Sequence, residues 1–256
     1  MGAGCVPELD AARNRSLKRL GVVAALKAEA RAFHPSVTEP RHEAYSALQD
    51  GSLLVVSGIG FAAASAAARA LAMAPVSALM TFGLAGGLDP TLEAGTVVLP
   101  DQVISSSGAH FATCRSWCAR LAAEVGSTRW AVGGKLLSSA LPLDSPSKKK
   151  AAFEEAGAVA VDMESAAVAA IAAAHQLPFV ALRVIVDTAS DGLPRSVVLA
   201  SQAGKLRIGR LLAGLSPGEI AALVGLARRY RVAIRSLRAV AAAGAWAPHD
   251  SDTYLS

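Results

Sequence analysis

The chain has 256 residues, 53% of them apolar, with a formal net charge of +5. That fits one large α/β domain or two small ones, and one domain with a sizeable core is the simpler expectation. The basic residues collect at Arg13 to Arg19, Lys148-Lys149-Lys150 and Arg228 to Arg238, with no interleaved aromatic platform for bases, which argues against a nucleic-acid partner.

The first twenty residues carry Glu8, Asp10, Arg13, Arg15, Lys18 and Arg19 and no apolar h-region, so the expectation is no signal peptide and a cytoplasmic location. Leu20-Gly-Val-Val-Ala-Ala-Leu26 then predicts a first buried strand, and Leu53-Leu-Val-Val-Ser57 a second. Val76-Ser-Ala-Leu-Met-Thr-Phe82 and Thr96-Val-Val-Leu99 continue the series, with an Ala-rich helix over Phe61 to Met73 between the second and third. Strands alternating with helices predict a mostly parallel sheet with right-handed crossovers. Three uncharged stretches approach membrane-span length: Gly51 to Ala68, Ala70 to Leu88 and Ser165 to Leu182. Turn and polar residues interrupt each, including Gly58 and Gly60, Pro75 with Gly86-Gly87, and His175-Gln176 with Pro178, so they read as strand, turn and helix.

After Pro100 the pattern weakens. Ser105-Ser-Ser-Gly108 reads as loop, Ser116 to Glu124 as a short helix, and Leu141 to Pro146 as loop before a helix over Ser147 to Glu155; this middle section is where lids and specificity are expected. From Ser216 a capping hydroxyl with Pro217 at the first helical position opens a long helix. Ile220, Leu223, Val224, Ala227, Tyr230, Ile234, Leu237 and Ala241 recur at helical spacing, and Arg228, Arg229, Arg231, Arg235 and Arg238 take the other side. The bland expectation is a terminal helix packed on the core or on a second subunit; the sharper one is contact with an anionic membrane or an apolar ligand. The domain plan is therefore a flexible extension over 1–19, one domain over 20–243 that includes this helix from about 217, and a flexible tail over 244–256 in which Trp246 has no assigned role.

Two acidic clusters dominate the chemistry. Val159-Ala-Val-Asp-Met-Glu-Ser165 is followed by an Ala-rich stretch and by Pro178-Phe-Val-Ala-Leu-Arg-Val-Ile-Val-Asp187. Strand, helix and strand, each strand ending in acid, predict that both acids lie on one rim of a parallel sheet, where open α/β folds bind ligands. Asp162 and Glu164 either face a pocket together with Met163 opposed, or favour the helix N-terminus. Asp187 either caps the Thr188-Ala-Ser190 turn or works in the site. Glu29, one helical turn past the first strand, would alone be a solvated surface residue.

Ser57-Gly-Ile-Gly-Phe-Ala-Ala63 matches the dinucleotide fingerprint superficially, but the next strand ends Met80-Thr-Phe-Gly83 instead of in the acid that a ribose requires. The loop, like Gly83-Leu-Ala-Gly-Gly-Leu-Asp89, can hold an anion or a sugar hydroxyl against helix N–H groups, or form tight turns alone. His34, His42, His110, His175 and His249 have no spacing for metal or triad work, and Ser165 lacks the nucleophile elbow. Cys5, Cys114 and Cys118 form no zinc pattern, so reduced thiols are expected, with neither disulfide nor metal.

Taken in order, Gly21-Val-Val-Ala-Ala-Leu-Lys-Ala-Glu29, Ser57-Gly-Ile-Gly60, Thr81-Phe-Gly-Leu-Ala-Gly-Gly-Leu88, Val161-Asp-Met-Glu-Ser165 and Arg183-Val-Ile-Val-Asp187 resemble the nucleoside phosphorylase and nucleosidase superfamily, over about Leu20 to Leu193. Phe82-Gly-Leu-Ala-Gly-Gly-Leu-Asp-Pro90, Asp162-Met-Glu-Ser165, Leu177-Pro-Phe179, Leu193-Pro194 and the Arg-rich tail look most like the hopanoid-associated phosphorylases.

The resemblance implies an α/β fold with a three-layer, mostly parallel mixed central sheet flanked by helices, and an enzyme that releases adenine from adenosylhopane. By this likeness Asp187 protonates purine N7, Glu164 accepts from the ribose hydroxyls and steadies the sugar cation, and Glu29 positions or deprotonates an attacking water. Met163 packs on ribose, Ala85 and Gly86 border the base, Leu141 stacks on it, and Asp162 joins the substrate-binding set. The usual phosphate-binding Arg and Ser are replaced by Thr81 and Leu84, which leaves Arg31 with Gly58 and Gly60 as the candidate phosphate or water site. Phosphorolysis, with inorganic phosphate as co-substrate and no cofactor, ranks first; a hydrolytic nucleosidase of the methylthioadenosine/adenosylhomocysteine type is second, and a non-catalytic nucleoside-binding module is the reading from another class. A homodimer or larger homo-oligomer, and contact of the basic helix with the inner face of a membrane, are further expectations.

Overall fold

A computed structural model describes residues 19–35, 37, 45–124, 129–194, 197–198, 217–244 and 246. Most of the expected terminal extension and tail, together with Cys5 and Ser216, therefore lies outside the described residues.

Two-residue periodicity builds the core. In β1 (Leu20–Ala24), β3 (Leu53–Val56), β4 (Ala78–Gly87) and β11 (Phe179–Asp187) nearly every position is buried. Alternate residues feed opposite faces: Leu20, Val22, Ala24, Met80, Phe82, Val180 and Leu182 join one cluster, and Val23, Val55, Leu79, Phe179 and Ala181 the other. The first face is covered by α1 (Lys27–Phe33), α3 (Arg115–Glu124) and α6 (Pro217–Ala243). The second is covered by the Ala-rich helices α2 (Phe61–Ala72) and α5 (Ser165–Ala174). Burial on both faces explains why these strands read as continuous apolar runs.

The remaining strands are β2 (Ser46–Ala47), β5 (Val97–Leu99), β6 (Gln102–Ser105), β7 (His110–Ala112), β8 (Trp130–Val132), β9 (Lys135–Ser138) and β10 (Ala158–Asp162), with α4 (Pro146–Ala156) preceding β10. Among the described residues six of the ten strand pairings are parallel, so the expected mostly parallel mixed sheet with flanking helices is present. The region after Pro100 holds strands β6 to β9 and is less loop-like than its polar sequence suggests.

The site is positioned by β4. One edge of β4 pairs with β11 in parallel from Leu79 to Gly86. The other pairs with β1 through Thr81 and then with β10, antiparallel, at Gly86 and Gly87. Among the described residues no strand pairs with that edge between Thr81 and Gly86, and such a gap is the topological switch at which open sheets present backbone to a ligand. Gly83 to Gly87 extends β4 beyond Phe82, through the ladder with β11 and then with β10. One expectation changes here. Asp162 and Asp187 end strands that run in opposite directions, so they flank the same end of β4 from its two edges instead of sharing the rim of parallel strands.

The long helix begins at Pro217 as expected, but its apolar stripe is covered only in its second half. Ala233, Ile234, Leu237 and Val240 are buried, whereas Ile220 and Val224 are exposed. Trp246, expected in a flexible tail, is buried against Phe33 and Phe82 at ring distances of 5.5 and 6.1 Å, and its Nε1 donates to the Ala241 carbonyl. Cys114 and Cys118 are buried thiols. Among the described residues no helix is long and apolar enough to cross a membrane.

Candidate active site

Glu29 is the third residue of α1 and almost fully buried, where sequence alone would leave it solvated. Its Oε2 accepts from the Leu26 N–H at 2.8 Å, closing the first turn of the helix, and its Oε1 accepts from the Leu84 N–H at 2.8 Å. Leu84 lies in the gap of β4, so the carboxylate takes the donor that a neighbouring strand would otherwise use. A side chain at Gly83 would place Cβ 2.6 Å from both Glu29 Oε1 and Arg183 Nη1, so the absence of one lets acid and guanidinium close over the strand. Burial raises the Glu29 proton affinity above the usual carboxylate range; the Arg183 charge and the backbone donors oppose it.

Asp162 and Glu164 divide the two roles open to them. Asp162 caps α5: both of its oxygens accept from the Ser165 N–H, and Oδ1 also accepts from Ser138 Oγ at 2.5 Å. Its Oδ2 pairs with Arg183 Nη2 at 2.7 Å, both side chains 1% exposed. Asp162, expected to bind substrate, is thus engaged by the protein itself. Glu164 turns the other way. Its Oε1 accepts from the Gly60 N–H at 2.8 Å, which ties α5 to the loop opening α2. Burial, reinforced by the nearby Asp162 charge and opposed by Arg183, pushes the Glu164 carboxyl up to about 7.

Arg183 links these groups. It is 1% exposed, and its Nε and Nη2 donate to Ser165 Oγ at 3.2 and 3.0 Å; that oxygen lies 3.0 Å from Thr81 Oγ1. The sequence motifs assign it no role, although a lone arginine in an apolar run is the signal of one, since a buried guanidinium requires carboxylates around it.

Asp187 ends β11, buried and level with Gly86 of β4. Lys149 of α4, which the sequence placed in a basic surface run, is fully buried and makes a very short contact to Asp187 Oδ2 while donating to the Thr188 carbonyl at 2.6 Å. Burial pushes the Asp187 carboxyl up; Lys149 pulls it down. A Cβ at Gly86 would stand 3.2 Å from Asp187 Oδ2, so this glycine keeps the face of the acid clear.

The other expected residues separate. Met163 is half-buried between the two acids, and Ala85 is buried beside Gly86. Leu141 is exposed on the loop after β9, where its carbonyl accepts from Ser139 Oγ. Gly58 and Gly60 both adopt left-handed backbone, with φ of 86° and 100°, but the Gly60 amide is taken by Glu164. Arg31 is not brought to the acids. Two helical positions turn a side chain by about 200°, and Arg31 is exposed, lining instead a cavity of about 690 Å³ with Phe33, His34, Pro35 and Arg238. Among the described residues no His, Cys, Asp and Glu cluster is arranged to hold a metal ion.

An open mixed sheet flanked by helices, with buried carboxylates beside the end of β4, makes this a mixed α/β protein. The chain belongs to the phosphorylase superfamily, whose model matches residues 19–215, and it is an enzyme of the nucleoside phosphorylase and nucleosidase type. Its fold is shared with 5′-methylthioadenosine/S-adenosylhomocysteine nucleosidase from Neisseria meningitidis, at TM-score 0.65 and 19% identity over 88% of this chain and 97% of that one. Futalosine hydrolase of Helicobacter pylori gives 0.61 and 18%, over 88% and 98%. The nucleosidase of Streptococcus pneumoniae gives 0.59 and 18%, over 86% and 99%. No curated protein sequence matches this chain.

Proposed function

We propose that this chain hydrolyses the N-glycosidic bond of a purine nucleoside and releases the free base. Glu29 carries the reading: a buried carboxylate fixed by two main-chain donors at the gap in β4, in electrostatic contact with Arg183 and Glu164. A carboxylate of raised proton affinity suits a general base, and here it takes a proton from the water that attacks C1′. Glu164, ionised, accepts from the ribose hydroxyls and stabilises positive charge developing on the sugar. Asp187 delivers a proton to purine N7, so the electron pair of the C1′–N9 bond departs on a neutral base; such proton transfers contribute on the order of 10²- to 10⁴-fold. Ala85 and Gly86 border the base, Met163 the ribose, and Leu141 folds over the purine.

Hydrolysis is favoured over phosphorolysis because the Gly60 amide is occupied and Arg31 lines a cavity to which none of the site acids contributes. The names of the structural neighbours support the same chemistry. For the 5′ position we propose an apolar substituent of the adenosylhopane kind, on the motif resemblance. Peripheral contact with an anionic membrane through α6 belongs to the same proposal, supported by exposed Ile220 and Val224 beside exposed Arg228 and Arg231.

The test is product analysis with 5′-methylthioadenosine and a 5′-alkylated adenosine, each with and without phosphate. Adenine and a free sugar in equal amounts under both conditions are expected. A sugar 1-phosphate formed only with phosphate overturns hydrolysis in favour of phosphorolysis, and no adenine from any substrate overturns the enzyme reading of this site.

A further inference from the structure

Among the described residues Lys149 and Arg183 are the buried cations, and the hydrolytic scheme gives Lys149 no part. It stands in α4, outside the cluster around Arg183, with no exposed surface, and its two acceptors are Asp187 Oδ2 and the Thr188 carbonyl. Among the described residues no other side chain bonds to Asp187. The remaining charges acting on Asp187 are Asp191, on the loop beyond it, and Arg229 of α6, and these pair with each other at 3.1 Å. A fully buried ammonium is a poor device for stability, because removing it from water offsets most of what its ion pair returns. Lysine differs from arginine in that its ammonium can serve as a proton donor, whereas a guanidinium keeps its proton. A cation beside Asp187 also opposes the protonated form that an acid needs in order to donate, although burial outweighs it here. The arrangement makes sense if the cation is the store from which the acid is reloaded.

We propose that Lys149 is the proton source for Asp187, a positioning residue that acts through the aspartate and never touches substrate. The inference rests on the nucleoside-cleaving reading above. As the C1′–N9 bond breaks and its electron pair moves onto the purine, N7 takes a proton from Asp187. Asp187 Oδ2 takes one from the Lys149 ammonium, and Lys149 is left as a neutral amine. The water that attacks C1′ gives its proton to Glu29. Lys149 regains a proton and Glu29 loses one through solvent before the next turnover, so the sum is nucleoside plus water to free base plus sugar.

The experiment compares adenosine-type nucleosides with a 4-nitrophenyl riboside, whose leaving group departs without a proton, in wild type, Lys149→Met and Lys149→Arg. Loss of about 100-fold or more in kcat with the purine nucleoside is expected in both variants, against less than about tenfold with the nitrophenyl riboside. Arginine keeps the charge but holds its proton, so full purine activity in Lys149→Arg overturns the proposal, as does an equal loss on both substrates in either variant. If neither variant folds, the wild-type pH profile decides: an alkaline limb is expected with the purine nucleoside and absent with the nitrophenyl riboside, and the same limb with both overturns it. Wild type that cleaves the nitrophenyl riboside but no purine nucleoside sinks the underlying reading instead.

Discussion

The two acidic centres at the end of β4 solve the burial of charge differently. Around Arg183, one guanidinium serves Asp162 directly and acts on Glu29 and Glu164 through space, while hydroxyls and main-chain N–H groups complete the bonding. At Asp187, one carboxylate faces one ammonium. Three carboxylates sharing one cation cannot all stay ionised cheaply, which is why burial and like charge lift Glu164 so far. A one-to-one pair contests a single proton. The first arrangement suits groups that accept hydrogen bonds and receive protons, and the second suits a group that gives one away.

The largest expected effect tests that division at the donor. Asp187→Asn should lower kcat by about 10²- to 10⁴-fold with much smaller loss of nucleoside binding; steady-state kinetics beside calorimetric binding checks this, and an active Asn variant would falsify the donor role. The next addresses the shared cation. Arg183→Met leaves Asp162 without its partner and should destabilise the fold by about 3 to 5 kcal/mol, read as a fall in the denaturant midpoint; an unchanged midpoint would show that the carboxylates do not depend on it.

The third separates the centres by pH. Folding raises the Glu164 proton affinity from the usual 4.5 to about 7. The folded chain therefore holds a proton that the unfolded chain has released, and the stabilising contribution of this group is full below pH about 4.5 and disappears as pH rises through about 7. Glu164→Gln removes the titration. Relative to wild type, the variant should gain up to roughly 3 kcal/mol between those limits, measured by urea unfolding at a series of pH values; parallel curves for the two proteins would refute the shift. The smallest effect is steric. Gly83→Ala drives a methyl against Glu29 and Arg183 and should cost about 1 to 3 kcal/mol. Activity should fall as well, whereas an alanine enzyme of wild-type stability and rate would mean that the gap in β4 has room to spare.

Much of the fold was legible because it follows from local pattern. Continuous apolar runs at Leu20, Leu53 and Val76 mark strands buried on both faces, and the Ala-rich stretch after Gly60 marks a helix packed close to the sheet. Strands β6 to β9 are not legible because each has only three or four residues, and β7 and β8 are partly exposed as well, which leaves too little apolar periodicity to register. Asp187 and Glu164 stood out as acids at the ends of apolar runs. Arg183 and Lys149 did not, since a cation in a strand or in a basic triplet reveals its burial only through the elements packed over it.

By itself the sequence determined the alternation of strands and helices, the small residues of β4 and the acids placed beyond strand ends, all of which depend on neighbours within a few positions of the chain. Only the tertiary structure decided that β10 runs against β4, that the Gly60 amide goes to Glu164 in place of an anion, that Arg31 faces away, and which cation answers which carboxylate. Those outcomes depend on strand direction and on groups separated by 38 residues in one case and 104 in another, and a hydrogen bond or ion pair at such a distance along the chain leaves no periodicity for a sequence to display.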